Sequence, residues 1–201
     1  MSSSIFRNAL SSLGLVAVLL VPAGCTTMRE APAKSVRTLA SVPSGLTVLN
    51  PKQGLYVAGQ PGVEDWQAIA ASGVRTIVNL RTADEMKTRD ERAEVDDAGM
   101  HYVELPIAGV AGITADNASL LSALLAEAEG PVLVHCASAN RAGALLAVAS
   151  MQQGMAIEPA LAFGRESGMK STEVRTREVI EELRAATCAA AAGDASVGRC
   201  P

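Results

Sequence analysis

This sequence of 201 residues has few aromatic side chains, few histidines and no long run of one charge sign. It contains one Trp, two Tyr, two Phe and two His, with 49% hydrophobic residues, 19% charged residues and a formal net charge of −4. The composition is too apolar for a disordered chain, and it lacks the basic excess typical of nucleic-acid binding. Two His and four Cys nearly exclude a zinc site with several protein ligands, so we expect no metal. We also expect no cofactor. The core must be built from aliphatic side chains and alanine.

The first 25 residues are typical of an export signal. Arg7 is the only charged residue among them, the stretch 9–21 is mostly apolar, and small residues follow it. Cys25, directly after Ala-Gly, resembles the lipobox of bacterial lipoproteins, in which the cysteine is lipidated and becomes the mature N-terminus; that pattern prefers leucine where Pro22 stands here. Two outcomes stay open: a lipid anchor on Cys25 that holds the protein at a membrane, or ordinary cleavage that releases it. Both predict an exported, periplasmic protein.

The remaining chain divides into a flexible tether over 26–50, a globular domain over 51–187 and a disordered tail over 188–201. The predicted tether contains Thr, Pro, Ser and Gly with little periodicity, and the predicted tail is mostly Ala, Gly and Ser. Cys188 and Cys200 both lie in this tail. An oxidising compartment would favour a disulfide between them, and two unpaired thiols are the alternative.

Strand and helix patterns alternate along the predicted domain. Short runs of β-branched and aliphatic residues predict strands, and apolar residues at helical spacing predict helices. The predicted strands cover 55–57, 74–80, 101–105 and 132–134; the predicted helices cover 63–72, 114–128, 141–153 and 172–186, with a helix or ordered loop at 83–98 and a short helix near Pro159. Strands separated by helices indicate βαβ units. We therefore expect a three-layer α/β fold, with a mainly parallel sheet of four to five strands flanked by helices.

The segment PVLVHCASANRAGALL, residues 131–146, contains the clearest chemical signal. It places Cys136 between the end of a predicted strand and the start of a predicted helix, where ligands of parallel sheets bind. Backbone N–H groups and the helix dipole at that position favour an anion and thus a nucleophilic thiolate. The guanidinium of Arg141 can hold two oxygens of a phosphate. The loop therefore brings a nucleophile, anion-binding N–H groups and an arginine within seven residues.

Neighbouring residues are candidates for supporting roles. His135 would help to fix the loop. Asn79 and Arg81 end a predicted strand parallel to the one before Cys136, so they either reach the same edge of the sheet or only cap the strand. Arg81 has a simple alternative partner in Asp84 or Glu85, and we expect both of these carboxylates to be solvated.

The loop resembles the phosphate-binding loop of cysteine-dependent protein phosphatases. YVAGQP at 56–61 and GVRTIVNLR at 73–81 precede it, and the ordered set is similar to one branch, the DUF442 or β-lactamase-hydrolase-like phosphatase family, over about residues 48–170. The resemblance implies a dual-specificity-phosphatase-like fold and a phosphate monoester hydrolase acting on a phosphorylated protein or a small phosphoester. It also implies attack by Cys136 on phosphorus, a phosphocysteine intermediate and its hydrolysis by water. Arg141 and the loop residues Ala137, Ser138, Ala139 and Asn140 would bind the phosphate.

Three features depart from the superfamily pattern. Only four residues separate Cys136 from Arg141, as in rhodanese loops, so a sulfurtransferase stays an alternative. Ala139 stands where related loops often have Gly, and a positive φ there would cost roughly 1 kcal/mol. Ala142 follows the arginine where phosphatases usually have Ser or Thr. This leaves a phosphate-binding pseudophosphatase with weak turnover as a third possibility.

The sequence offers no clear general acid. The related enzymes use an Asp on a loop upstream of the cysteine, but residues 106–113 contain no acidic side chain. Asp116 is the main candidate, although a residue in the first turn of a helix also serves to complement the dipole; Glu104 is the other candidate. Without an acid, only substrates with good leaving groups would react well.

Overall fold

A computed structural model describes the backbone of residues 37–38 and 42–192 and the side chains of residues 42–189. Six strands form one sheet: β1 (Arg37–Thr38), β2 (Val48–Lys52), β3 (Leu55–Ala58), β4 (Thr76–Asn79), β5 (His101–Glu104) and β6 (Val132–His135), in the order β1-β2-β3-β6-β4-β5. Strands β3, β6, β4 and β5 run parallel, while β1 and β2 add an antiparallel edge. The predicted mainly parallel sheet of four to five strands is confirmed, with the two-residue β1 added to it.

Six α-helices accompany the sheet in the described part of the chain: α1 (Trp66–Ala71), α2 (Glu91–Asp97), α3 (Ala115–Glu127), α4 (Asn140–Gln152), α5 (Ile157–Glu166) and α6 (Glu173–Ala192), with one-turn 3₁₀ helices at Val63–Asp65 and Ala83–Met86. Successive strand residues point to opposite faces. On β6, Val132 and Val134 pack in the core cluster that contains residues of α3 to α6. Leu133 packs in the cluster that contains residues of α1 and α2. Helices therefore cover both faces of the sheet, which is the expected three-layer arrangement.

The register of the parallel strands fixes the position of the loop that follows β6. His135, the last residue of β6, pairs with Ala58 at the end of β3 and with Asn79 at the end of β4. The carboxyl ends of these three strands therefore lie side by side. This row is the edge at which open parallel sheets bind ligands.

The predicted domain boundaries need correction at both ends. Residues 48–50 belong to β2 rather than to a tether, and Val42 is already buried. Helix α6 continues to Ala192, so the beginning of the predicted tail is helical. Cys188 is disulfide-bonded, but Cys200, the predicted signal over 1–25 and its Cys25 lie outside the described residues. No helix within the described ranges is long and apolar enough to span a membrane.

Candidate active site

The loop of residues 136–139 leaves the central strand β6 and leads directly into α4. Cys136 is almost completely buried, with 1% of its surface exposed, and its N–H donates to the carbonyl of Ala58 at 3.4 Å. The N–H of Gln60 donates to the carbonyl of Ala137 at 3.4 Å, and Gly59 forms a β-bridge with Ser138. A Cβ on Gly59 would lie 3.2 Å from the Ala137 carbonyl oxygen. The segment after β3, part of the YVAGQP motif, therefore packs closely along the outer side of the loop.

Ala139, which stands where related loops often have Gly, has a left-handed backbone conformation with φ of 66°. It is the N-cap of α4, and its carbonyl accepts the first helical hydrogen bond from Gly143 at 2.9 Å. A Cβ on Gly168 would lie 2.6 Å from the Ala139 Cβ, so the turn after α5 also approaches the loop closely. A residue with a Cβ pays roughly 1–2 kcal/mol for this conformation, and the surrounding contacts maintain it.

The side chain of Asn140 fastens the loop to the segment before α6. Its Oδ1 accepts from the Lys170 N–H at 2.7 Å and from the Thr172 hydroxyl at 2.8 Å. Its Nδ2 donates to the Ser171 hydroxyl at 2.6 Å. The side chain of Asn140 is therefore occupied by protein contacts, and any anion contact from this residue would come from its backbone.

Arg141 lies in the first turn of α4 with 9% of its surface exposed. Its NH1 and NH2 groups donate to the two carboxylate oxygens of Glu85 at 2.8 and 2.7 Å, and NH1 also donates to the Ile107 carbonyl at 2.7 Å. The hydrogen bond with Glu85 is the main reason why the pKa of Arg141 is raised; burial opposes this, and the charge of Cys136 and a hydrogen bond with it add to it. The structure thus brings Cys136 and Arg141 together, and Glu85 and the Ile107 carbonyl orient the guanidinium.

Glu85 is not solvated as the sequence suggested, because it forms this bidentate pair with Arg141. Its side chain is 30% exposed. The hydrogen bond from Arg141, supported by the N–H of Thr82 and opposed by burial, lowers the pKa of Glu85 to about 2. Glu85 is therefore ionised at neutral pH, which suits a residue that orients Arg141 and not one that donates a proton.

Asn79 and Arg81 occupy the strand end next to the loop. Asn79 is buried, donates from Nδ2 to the Tyr102 hydroxyl at 2.7 Å and accepts at Oδ1 from the Arg81 N–H at 2.8 Å. The side chain of Arg81 donates to Gln60 Oε1 at 2.6 Å and to the Glu85 carbonyl at 2.6 Å. Asn79 thus caps the end of β4, while Arg81 joins the 3₁₀ turn that carries Glu85 to the segment after β3.

His135 is completely buried, and its side chain lies on the α1–α2 side of the sheet. Its Nε2 is 2.8 Å from Oε1 of Glu91 on α2. Its ring packs edge-to-face with Trp66, with 6.1 Å between the two ring centroids. Sequence reasoning missed Glu91, which is only 2% exposed. The available signal was its spacing from Val95, since these two residues four positions apart are the buried face of α2.

Neither of the two candidate general acids is bonded to the Cys136 loop within the described residues. Asp116 is exposed in the first turn of α3, two residues after the N-cap Thr114. It makes no hydrogen bond or ion pair with the Cys136 loop in the described residues. Glu104 is at the end of β5 with 55% of its side chain exposed, 3.9 Å from Arg92. The role of Asp116 as proton donor therefore stays a prediction.

A cleft of about 590 Å³ adjoins the loop. Its walls include the loop residues 137–139, the apolar residues Leu46 and Leu49, and the charged residues Arg165, Glu166 and Lys170. This volume lies in the range of small-molecule sites. Within the residues that the structure describes, no group of three or more His, Cys, Asp or Glu side chains could hold a metal ion.

Comparison with known proteins places these features in a family. Residues 48–156 match the family described as beta-lactamase hydrolase-like protein, phosphatase-like domain. A beta-lactamase hydrolase-like protein of Agrobacterium fabrum is 35% identical over 92 residues, which cover 44% of this chain and 21% of that protein. The chain thus spans about a fifth of the length of this curated relative.

Solved structures show the same fold. The kinase associated phosphatase KAP, with its catalytic-site cysteine substituted by serine, superposes with a TM-score of 0.55 at 14% identity, over 73% of this chain and 96% of that one. TpbA of P. aeruginosa superposes with a TM-score of 0.50 at 26% identity, over 76% of this chain and 97% of that one. The fold is therefore that of the dual-specificity-like phosphatases.

Proposed function

The chain belongs to the beta-lactamase hydrolase-like phosphatase domain family, a family of phosphoric monoester hydrolases, and we propose that it hydrolyses phosphate monoesters through a phosphocysteine on Cys136. One observation carries the proposal. Cys136 directly follows the central strand of the sheet, and Arg141 lies beside it, oriented by the bidentate pair with Glu85. A thiol nucleophile and a fixed guanidinium at a helix N-terminus are suited to the transfer of a phosphoryl group.

The proposed reaction has two steps. The Cys136 thiolate attacks phosphorus, the S–P bond forms, and the ester P–O bond breaks so that the alcohol oxygen leaves with the electron pair. The loop N–H groups and Arg141 stabilise the equatorial oxygens in the transition state. Water then attacks phosphorus, inorganic phosphate departs, and the thiolate is regenerated. We assign no proton donor for the leaving group, and aryl phosphates should therefore react faster than alkyl phosphates.

A phosphate-binding protein with weak turnover is the second candidate. Ala142, which follows Arg141, is completely buried and offers only a methyl group, so its side chain cannot assist the hydrolysis of a phosphocysteine. This function predicts oxyanion binding without release of product. The sulfurtransferase alternative has only the four-residue spacing in its favour, since the family and the structural neighbours are phosphatases.

Two further proposals concern the substrate class and the cellular location. TpbA has been crystallised in complex with phosphotyrosine, which makes a phosphorylated protein a reasonable substrate class here.

We further propose export to the periplasm, with Cys25 carrying the lipid anchor. Intact mass of the protein from the membrane fraction tests this: a diacylated Cys25 is expected, whereas a soluble protein cleaved before Cys25, or one that keeps residues 1–24, would contradict it.

Hydrolysis of p-nitrophenyl phosphate tests the proposed reaction. We expect Cys136→Ser to abolish turnover, and Arg141→Lys to lower kcat/KM by about 100-fold, because lysine lacks the planar pair of donors. Arg75→Lys is the matched control, since Arg75 lies just before β4 at the opposite end of the sheet, and its activity should equal that of the wild type. Turnover that survives in folded Cys136→Ser would refute the mechanism.

A further inference from the structure

A buried carboxylate lies at the centre of the contacts beneath the loop. Glu91 of α2 has one oxygen 2.8 Å from His135 Nε2, and its other oxygen accepts from Gln60 Nε2. Arg89 NH1 is 3.8 Å from the same second oxygen. Glu91 therefore contacts both the residue that precedes Cys136 and a residue of the segment that packs along the loop.

The contacts continue from Gln60 to the other end of the loop. Gln60 Oε1 accepts from Arg81 at 2.6 Å, Arg81 Nε is 3.6 Å from Glu85 Oε1, and both oxygens of Glu85 accept from Arg141. A continuous polar network thus joins the two ends of the loop. Its members, in order, are His135, Glu91, Gln60, Arg81, Glu85 and Arg141.

Placing Glu91 in the core needs a reason, because a buried carboxylate is costly unless charged and hydrogen-bonding groups compensate for lost water. Burial raises the pKa of Glu91, but the close approach of His135 Nε2, the hydrogen bond from Gln60 and the charge of Arg89 outweigh it and hold the pKa below its usual value. Glu91 is therefore ionised at neutral pH. An apolar residue of similar size would fill this position at lower cost, but it would connect neither end of the loop.

We propose that Glu91 is a positioning residue for the reaction at Cys136. It touches no reacting atom; it fixes His135 and Gln60, and through them the distance between the Cys136 sulfur and the Arg141 guanidinium. The inference rests on the proposed function, because the distance matters only when phosphorus is attacked between these two groups. A displacement of about 1 Å at a reacting centre is enough to lower a rate by about 100-fold.

Glu91→Gln is the first variant to measure. Glutamine keeps the size, but it has one side-chain oxygen where Glu91 has two. That oxygen can face His135 or Gln60 but not both, so one arm of the network breaks. We expect kcat for p-nitrophenyl phosphate to fall by about 10- to 100-fold while KM changes less than about threefold, since the placement of the nucleophile acts mainly on the chemical step. Gln60→Leu breaks the same arm without altering a buried charge and should act in the same direction.

Val95→Ala is the matched control on the same helix. Val95 is the other buried residue of α2 and packs in the apolar cluster that contains residues of α1, and its side chain has no polar group that could bond to the network. This variant should lose stability but keep the wild-type kcat. If Glu91→Gln keeps kcat within about twofold, or if Val95→Ala lowers kcat as much at equal loss of stability, the positioning role is refuted.

A second readout separates this inference from the proposed function. The rate of Cys136 alkylation by iodoacetamide needs no turnover, and it should change at least about fivefold in both Glu91→Gln and Gln60→Leu but not in Val95→Ala. If the wild type hydrolyses no phosphoester, the proposed function fails, and this alkylation pattern alone decides whether Glu91 positions the loop. Equal alkylation rates in all four proteins would overturn the inference, and Gln60→Leu decides it if Glu91→Gln does not fold.

Discussion

Replacing Glu85 with Gln should make the protein less stable at neutral pH and remove part of its acid sensitivity. In the wild type, both oxygens of Glu85 accept hydrogen bonds from Arg141, at 2.7 and 2.8 Å. This pair, together with the Thr82 N–H, lowers the pKa of Glu85 from 4.5 to about 2. Gln keeps the shape but offers one acceptor oxygen and no charge, so Arg141 loses half of its bidentate contact.

The magnitude follows from the difference between the two pKa values. About 2.5 pH units correspond to about 3.4 kcal/mol at roughly 1.4 kcal/mol per unit. Because the side chain of Glu85 is 30% exposed, solvent screens the charge, and we expect about 1–2 kcal/mol of stability at pH 7. Misorientation of Arg141 should also lower kcat/KM by about 10-fold or more.

The pH dependence has a definite sign. A carboxylate whose pKa is depressed in the folded protein stabilises it fully above the unfolded value and loses this contribution as the pH falls through the folded value. The stability difference between wild type and Glu85→Gln should therefore be complete above pH 4.5 and shrink towards zero near pH 2.

Urea denaturation followed by circular dichroism from pH 7 down to pH 2.5 measures this difference. Asp84→Asn is the control: Asp84 is the neighbouring residue, its side chain is 85% exposed, and it pairs with the exposed Lys87. It should behave as the wild type at every pH. A difference for Glu85→Gln that stays constant down to pH 2.5, or is absent at pH 7, would refute the reasoning.

Two further predictions concern the loop itself. Gly168→Ala should destabilise the protein by about 1–3 kcal/mol, because the new Cβ would meet the Ala139 Cβ at 2.6 Å and Gly168 has φ of 95°; in an Ala139→Gly background the loss should be smaller, and equal losses in the two backgrounds would contradict the contact. Peroxide should stop phosphoester hydrolysis by oxidising Cys136, and added thiol should restore it; activity that is insensitive to peroxide would argue against a thiolate nucleophile.

The local part of the site could be predicted from the sequence. Cys136 and Arg141 lie in one strand–loop–helix segment, so their proximity depends on chain geometry over a few residues. The positive φ at Ala139 is equally local. These features need no knowledge of how distant segments pack.

The carboxylates behind the site could not be predicted, because their roles depend on contacts distant in sequence. Glu85 meets Arg141 across 56 residues, and Glu91 meets His135 in the core. Both glutamates lie in a highly charged segment, whose composition predicts an exposed position. The spacing of Glu91 from Val95 indicates which face of α2 is buried, but only tertiary packing brings Glu91 to His135 and Glu85 to Arg141.

Strand β2 was missed for a different physical reason. Its sequence VLNPK contains Asn-Pro, which is typical of turns. The register of β2 against β3 shifts between Leu49 and Lys52, and such an irregularity accommodates Pro51 within a sheet. The Asn50 side chain donates to the carbonyls of Lys52 and Leu55 at 3.0 and 2.9 Å. It therefore stabilises the β2–β3 hairpin, although Asn-Pro in the sequence predicts a turn and not a strand at this position.

The central claim is that Cys136 carries the phosphoryl group during turnover. Rapid acid quenching of the wild type with p-nitrophenyl phosphate, followed by mass spectrometry of the peptide that contains Cys136, tests it most directly. The account predicts a phosphoryl group on Cys136 that appears with a burst of p-nitrophenol and is absent from Cys136→Ser. Turnover with no phosphoryl group on Cys136 at any quench time, or with the group on another residue, would contradict it.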